Sequence, residues 1–298
     1  AILTTLAEEA RQAGKQANIK EAEALRHLGS LAFLHDTRKA FDAYFRSTEL
    51  DPNNLDGWNK LGLLYRRIGE LENAENAYMT VLKLVVDDQE NRAMAYGHLG
   101  IVYMTRGDLD QAVEYYRKAL AINEALGQKE GMARDYGNLG NVYLTRGDLD
   151  QAVEYYRKAL AISKALGEKK GMADAHISLG NVYKIRGDLD QAVEYYRKAL
   201  TINEALGRKE GVANACINLG IVYMTRGDLD QAVEYYRKSL AINETLGSKE
   251  VMAGTCINLG VVYEIRGDLD QAVEYYRKAL TINEALGGKE GMADAYTS

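Results

Sequence analysis

Apolar residues recur along most of the chain at intervals of three and four, the spacing that puts them on one face of an α-helix. The stretch from Ala133 to Met172 shows the pattern. Tyr136, Leu139, Gly140 and Tyr143 mark one helical face, and after a break at Gly147 the positions Leu149, Ala152, Val153, Tyr156, Ala159, Leu160, Ile162 and Leu166 mark a second. Asp148 stands before Leu149-Asp150-Gln151 in a capping-box arrangement. Its carboxylate is placed to accept from the Gln151 N–H, and the Gln151 side chain to answer the Asp148 N–H. The second helix therefore starts at about Leu149, and Gly167 supplies its stop. The stretch reads as a helix, a tight turn and an antiparallel helix.

The stretch is one copy of a repeat. The segment Gly-Asp-Leu-Asp-Gln-Ala-Val-Glu-Tyr-Tyr-Arg-Lys starts at Gly107, Gly147, Gly187, Gly227 and Gly267, each 40 residues from the last. A glycine inside the first helix recurs as well, at Gly100, Gly140, Gly180, Gly220 and Gly260. Glycine costs a helix interior about 1 kcal/mol relative to alanine. Its recurrence implies that the paired helix approaches closely there, with a bulky tyrosine such as Tyr156 opposite. These glycines lie in helices rather than after strands, so they do not form a phosphate loop.

The pattern large–x–x–Leu–Gly–x–x–Tyr followed by Ala–x–x–x–Tyr–x–x–Ala resembles the tetratricopeptide repeat. Trp58, Leu61, Gly62, Tyr65, Gly69, Ala74 and Tyr78 fit it best, and a degenerate unit with Leu28, Gly29, Ala40, Tyr44 and Pro52 precedes them. The later units are longer than the usual 34-residue form and lack the closing proline. In this they resemble the Pins-class spindle-orientation scaffolds, the kinesin light chains and bacterial signalling proteins of the family. The resemblance implies an all-α fold, an α-solenoid of stacked helical hairpins wound as a right-handed superhelix. Residues 1–20 are expected to form a capping helix and residues 21–298 the array. Its units start near Glu21, Leu55, Ala93, Ala133, Ala173, Ala213 and Ala253, with an eighth begun at Ala293.

In this family the first helices line the concave surface, which implies a protein-interaction scaffold that holds a polypeptide segment in its groove. The repeats support that division of labour, because the second helices are near copies whereas the first helices vary. One row of first-helix positions reads Gly97, Gly137, Ile177, Ile217, Ile257. The next reads Ile101, Asn141, Asn181, Ile221, Val261, and a third reads Met104, Leu144, Lys184, Met224, Glu264. A fourth begins Met94, Arg134, Asp174. The expected groove is polar around Arg134, Asn141, Asn181 and Lys184, and apolar around Ile217, Ile221, Met224, Ile257 and Val261. Ile217, Ile221 and Met224 are spaced i, i+4, i+7 and form one stripe. In the Pins-like scaffolds an asparagine at this place hydrogen-bonds a peptide backbone, a role that carries over to Asn141 and Asn181 only. Two alternatives stay open: the asparagines satisfy local backbone or water, or the apolar stripe packs against the next unit. A ligand part extended and part amphipathic helix fits the rows.

Composition narrows the picture without redirecting it. One proline in 298 residues suits a helical chain. A net charge of −6 gives no basic footprint for nucleic acid, and no apolar run is long enough to span a membrane. Most of the 21 tyrosines fall on repeated core positions rather than on a base-stacking surface. His27, His35, His98 and His176 lack the partners of a zinc site, and no nucleophile–base set stands out. The expectation is therefore no enzyme and no cofactor. Cys216 and Cys256 hold the same position in neighbouring units. Packed helices lie roughly 8–10 Å apart and a disulfide needs Cα atoms within about 7 Å, so both are read as reduced, which suits a cytoplasmic location. The recurring Arg106, Arg146, Arg186, Arg226 and Arg266 are read as complements to the helix dipole, with a ladder for an acidic ligand as the alternative. The chain starts at Ala1 and stops at Ser298 inside a repeat, and is read as a fragment. Two other functions fit the repeats: a structural spacer or rod that self-associates end to end, and the regulatory arm of a larger signalling protein.

Overall fold

A computed structural model describes the backbone of residues 2–295, and the side chains of residue 8 and of residues 11–287. Fourteen helices occupy the described residues, in seven consecutive hairpins. They are α1 (Ile2–Ala32) with α2 (Thr37–Leu50), α3 (Leu55–Arg67) with α4 (Leu71–Leu84), and α5 (Gln89–Arg106) with α6 (Leu109–Leu126). There follow α7 (Lys129–Arg146) with α8 (Leu149–Leu166), α9 (Lys169–Ile185) with α10 (Leu189–Ala205), α11 (Lys209–Arg226) with α12 (Leu229–Leu246), and α13 (Lys249–Arg266) with α14 (Leu269–Ala295). None of them is long and apolar enough to cross a membrane. The chain divides into two compact units, residues 1–142 and residues 143–298. Inside each, the second helix of one hairpin packs on the first helix of the next, the α-solenoid arrangement.

Local chemistry explains where the helices begin and end. Asp148 Oδ1 accepts from the Gln151 N–H at 3.2 Å, and Asp108, Asp188, Asp228 and Asp268 do the same for their helices. Gly147 and Gly167 adopt φ of 80° and 69°, the left-handed conformation that ends a helix without a Cβ clash. The Gly167 N–H then bonds the Lys164 carbonyl, and the Glu168 N–H the Ser163 carbonyl. So little chain separates one hairpin from the next that α7, α9, α11 and α13 start at Lys129, Lys169, Lys209 and Lys249. These lysines are exposed.

At the ends, one continuous helix, α1, covers both the segment expected as a cap and the first helix expected from Glu21. The backbone of α14 likewise runs through Gly287 without a break to Ala295. The eighth unit expected from Ala293 lies outside the residues whose side chains are described.

The recurrent helix glycines have the reason inferred for them. A Cβ built on Gly180 comes within 2.5 Å of the Tyr196 ring, and Gly100, Gly220 and Gly260 meet Tyr116, Tyr236 and Tyr276 as closely. Tyr116, Tyr196 and Tyr236 fill the hairpin interior together with Leu99, Leu179 and Leu219, which are fully buried. Cys216 and Cys256 are buried free thiols, and burial raises the Cys216 thiol to about 11.

Polar ties join successive hairpins. Arg186, Arg226 and Arg266 donate to Asp150, Asp190 and Asp230 at the start of the preceding second helix, and Arg106 reaches Glu75 at 2.8 Å. Arg197 and Arg237 donate to the hydroxyls of Tyr223 and Tyr263 at 2.7 Å. Arg106, Arg186, Arg226 and Arg266 are therefore committed to carboxylates within the chain, a role that neither the dipole nor the acidic-ligand reading anticipated.

Candidate functional site

In the unit formed by residues 143–298, the first helices α9, α11 and α13 carry seven of the residues picked out by their variability. Asn181 and Lys184 lie on α9, half-buried. Ile217, Ile221 and Met224 lie on α11, half-buried and packed, with Ile177, against one core cluster. On α13, Ile257 is 42% exposed and Val261 is half-buried. The apolar stripe is thus shared between core and surface, and Ile257 is its most open member. Arg134 and Asn141 belong to the unit formed by residues 1–142, where both are exposed on α7.

The structure gives the asparagine row a second meaning. The Tyr196 hydroxyl, at the end of a fully buried side chain, donates to Asn181 Oδ1 at 2.7 Å. This uses an acceptor of the side chain and leaves the Nδ2 group as its donor. One unit on, isoleucine replaces the asparagine at position 221, and the Tyr236 hydroxyl is buried with no partner. In the last hairpin Val261 holds that position and Tyr276 turns to Glu264 at 2.7 Å. The Asn181 amide therefore has a structural role in this hairpin. Lys184 has its ammonium pK lowered by burial, so it is a poorly solvated cation.

Three cavities lie elsewhere, along the second helices. One of about 920 Å³ involves Leu240, Met252, Cys256 and Val273, one of about 560 Å³ involves His176, Val193 and Lys198, and one of about 520 Å³ involves Asp150, Arg157 and Tyr183. None of the candidate residues on the first-helix rows lines these three. Among the described residues, no group of three or more His, Cys, Asp or Glu is placed to hold a metal ion.

Buried titratable groups stand apart from the rows. Asp135 is fully buried, accepts from Asn123 Nδ2 at 2.6 Å, and leaves Oδ1 without a partner. Burial raises its carboxyl to about 6, against the smaller opposing pulls of the Asn123 bond and Arg134. Burial likewise lowers His98 and His176 to about 4, with cationic neighbours adding to the effect. The signal for Asp135 was present in the repeat: its row reads Ala95, Asp135, Ala175, Ala215, Thr255. A lone acid in a small-residue row marks an unusual interior.

Comparison with known proteins agrees with the hairpin geometry. A family model described as "Tetratricopeptide repeat" matches residues 54–125, 91–165 and 171–245, and a second of the same description matches residues 253–285. Among solved structures, BtubC (BKLC) from P. vanneervenii is 26% identical with a TM-score of 0.65, over 75% of this chain and 92% of that one. Aspartyl phosphate phosphatase F from Bacillus subtilis is 13% identical with a TM-score of 0.70, over 95% of this chain and 76% of that one. A putative kinesin light chain from Podospora anserina is 20% identical with a TM-score of 0.55, over 66% and 98%. The last two likenesses bear on the fold alone.

Proposed function

The chain belongs to the tetratricopeptide-repeat family, and from that premise we propose that it is a non-catalytic scaffold that holds a polypeptide segment against its first helices. The repeats are a protein-interaction fold, and the residue-level reading concerns where the partner lies. A single observation carries it: within near-identical hairpins the unlike side chains collect on the first-helix rows, and an aliphatic one, Ile257, remains 42% exposed there. Packing alone does not require that variety, since the second helices repeat almost without change.

The chemistry differs along the rows. Asn181 offers its Nδ2 donor to a backbone carbonyl, and Lys184 offers a partly desolvated cation whose pairing with an acidic side chain is stronger than at a fully wet site. Ile217, Ile221, Met224, Ile257 and Val261 offer aliphatic surface to an apolar segment of the partner. Arg134 and Asn141 are proposed to contact the partner from α7. Capture then combines shape, backbone hydrogen bonds and apolar burial, with no covalent step.

The test is site-specific photo-crosslinking. A benzophenone side chain at position 257 or 184 is expected to trap the partner in cell extract, whereas the same group at Glu234 or Glu194, on the second helices, is expected to trap little. Adducts confined to the second-helix positions would overturn the assignment.

A further inference from the structure

The stripe of first-helix positions proposed to hold the partner carries charge as well as shape, and the charge is unevenly placed. On α9 the stripe runs Lys170, Asp174, Ile177, Asn181, Lys184, in steps of four and three, so these side chains share one helix face. The row at its first position reads Glu90, Glu130, Lys170, Glu210, Glu250. The row at its last reads Met104, Leu144, Lys184, Met224, Glu264. Within residues 143–298, both rows place a cation on α9 and an anion on α13. Between them α11 offers Ile217, Ile221 and Met224, with Glu210 at one end.

Neither end is neutralised inside the chain. Among the described residues no carboxylate pairs with Lys170 or Lys184, whereas Lys158, Lys198 and Lys278 on the second helices each pair with a glutamate one turn away. Lys184 is half-buried, and burial alone lowers its pK. Asp174, the one acid on the α9 stripe, is bridged by Arg208 at 3.3 Å. On α13, Glu250 and Glu264 are exposed. Glu264 accepts from the Tyr276 hydroxyl at 2.7 Å, a neutral donor that leaves the carboxylate charge in place. Arg266, two residues on, is committed to Asp230.

We propose that this face of α9, α11 and α13 reads the charge order of the segment it holds: acidic against α9, apolar across α11 and basic against α13. The inference rests on the groove reading above and adds a direction to it. At roughly 10 Å per hairpin, α9 and α13 stand about 20 Å apart. An extended chain rises about 3.3 Å per residue, so the acid and the base of the segment lie about six residues apart. Lys184 is the stronger of the two cations as a selector, because a charge pair is screened less at a half-buried position than at the exposed Lys170. A segment of reversed order meets like charge at both ends and is rejected.

The test is selection of displayed random dodecapeptides against the full chain at low salt. The expected consensus has Asp or Glu and Lys or Arg about six residues apart, with aliphatic residues between them. Selection on Lys184→Met, which installs the residue α11 carries at that position, is expected to lose the acidic preference and keep the basic one. Glu264→Met is expected to do the reverse, and the double variant Lys184→Glu, Glu264→Lys to select the opposite charge order. A synthetic consensus peptide should bind Lys184→Met about fivefold more weakly by calorimetry, with a smaller loss at high salt. Peptides that crosslink to a benzophenone at position 257 but show no charge order overturn this inference and leave the groove reading standing. Peptides that crosslink only from positions 194 and 234 overturn both. Recovery of no peptide, or an unchanged consensus from Lys184→Met with a native circular dichroism spectrum, also overturns the inference. Should Lys184→Met not fold, Lys184→Gln carries the same comparison.

Discussion

Replacing Asp135 by alanine should stabilise the protein at neutral pH. The carboxylate is fully buried and has one hydrogen bond, from Asn123, and no cation at contact distance. Its pK is raised from 3.8 to about 6. At 1.36 kcal/mol per unit, the folded state bears a charge-burial cost of about 3 kcal/mol above pH 6. The sign follows from proton binding. The folded form holds the proton more tightly, so this group favours folding below pH 3.8, and that contribution is lost as the pH rises through about 6. Deleting the side chain removes the cost and leaves a small void worth about 1 kcal/mol. Asn123 is not stranded, because the chain already contains the repaired arrangement: beside Ala215, Asn203 Nδ2 bonds the Ala199 carbonyl at 3.0 Å. The net gain is about 2 kcal/mol at pH 7.5, and at pH 4 it disappears or reverses. Denaturant titration at both pH values measures it, and hydrogen exchange of residues 109–142 locates it. An Asp135→Ala protein that is less stable at pH 7.5, or a difference independent of pH, would refute the reasoning.

Other substitutions separate packing from polar satisfaction. His98→Asn installs a residue found at the same place in three later units, Asn138, Asn218 and Asn258. Since His98 is lowered to about 4, its stability contribution is full above pH 6.5 and lost as the pH falls through 4. The variant should resist acid better by about 2 kcal/mol in melts between pH 7 and 4. Tyr196→Phe should cost about 1 kcal/mol through its lost bond to Asn181, while Tyr236→Phe should cost nothing or stabilise, because its hydroxyl has no partner; matched denaturant curves decide it. Gly180→Ala should destabilise by about 2 kcal/mol or more, since its Cβ meets the Tyr196 ring, whereas Gly137→Ala, which meets nothing within 4 Å, should stabilise by about 0.5–1 kcal/mol.

Much of this fold is written in local chemistry and is legible for that reason. The caps at Asp148 and Gly167 need only neighbours within a turn, and the Gly180–Tyr196 contact needs only the repeat register. Pairs far apart in sequence were not legible. Arg186 reaches Asp150 across 36 residues, and a charged residue at a helix end has many alternatives until the hairpins are stacked. The starts of α7, α9, α11 and α13 lie about four residues before the expected unit starts, because each opens on charged residues such as Lys209 and Glu210 before its first buried position. The first-helix rows identified the variable positions. The sequence did not show that Ile217, Ile221 and Met224 are half-buried in the core cluster, or that Asn181 supports a buried hydroxyl. Asn181→Ala therefore lowers stability as well as removing a ligand contact, so it is a poorer probe of binding than a change at Ile257.

The central claim is that the unlike residues of the first helices choose the partner while the repeated second helices only support them. The double variant Ile221→Asn, Met224→Lys converts one row of α11 into the residues that α9 carries as Asn181 and Lys184, and it supplies the acceptor that Tyr236 lacks. Its affinity for the crosslinked partner, measured by calorimetry against the parent chain, is the most direct test. The account predicts binding weakened at least tenfold with undiminished thermal stability. Unchanged affinity in a folded double variant, with affinity lost instead on charge reversal at Glu194 and Glu234, would contradict it.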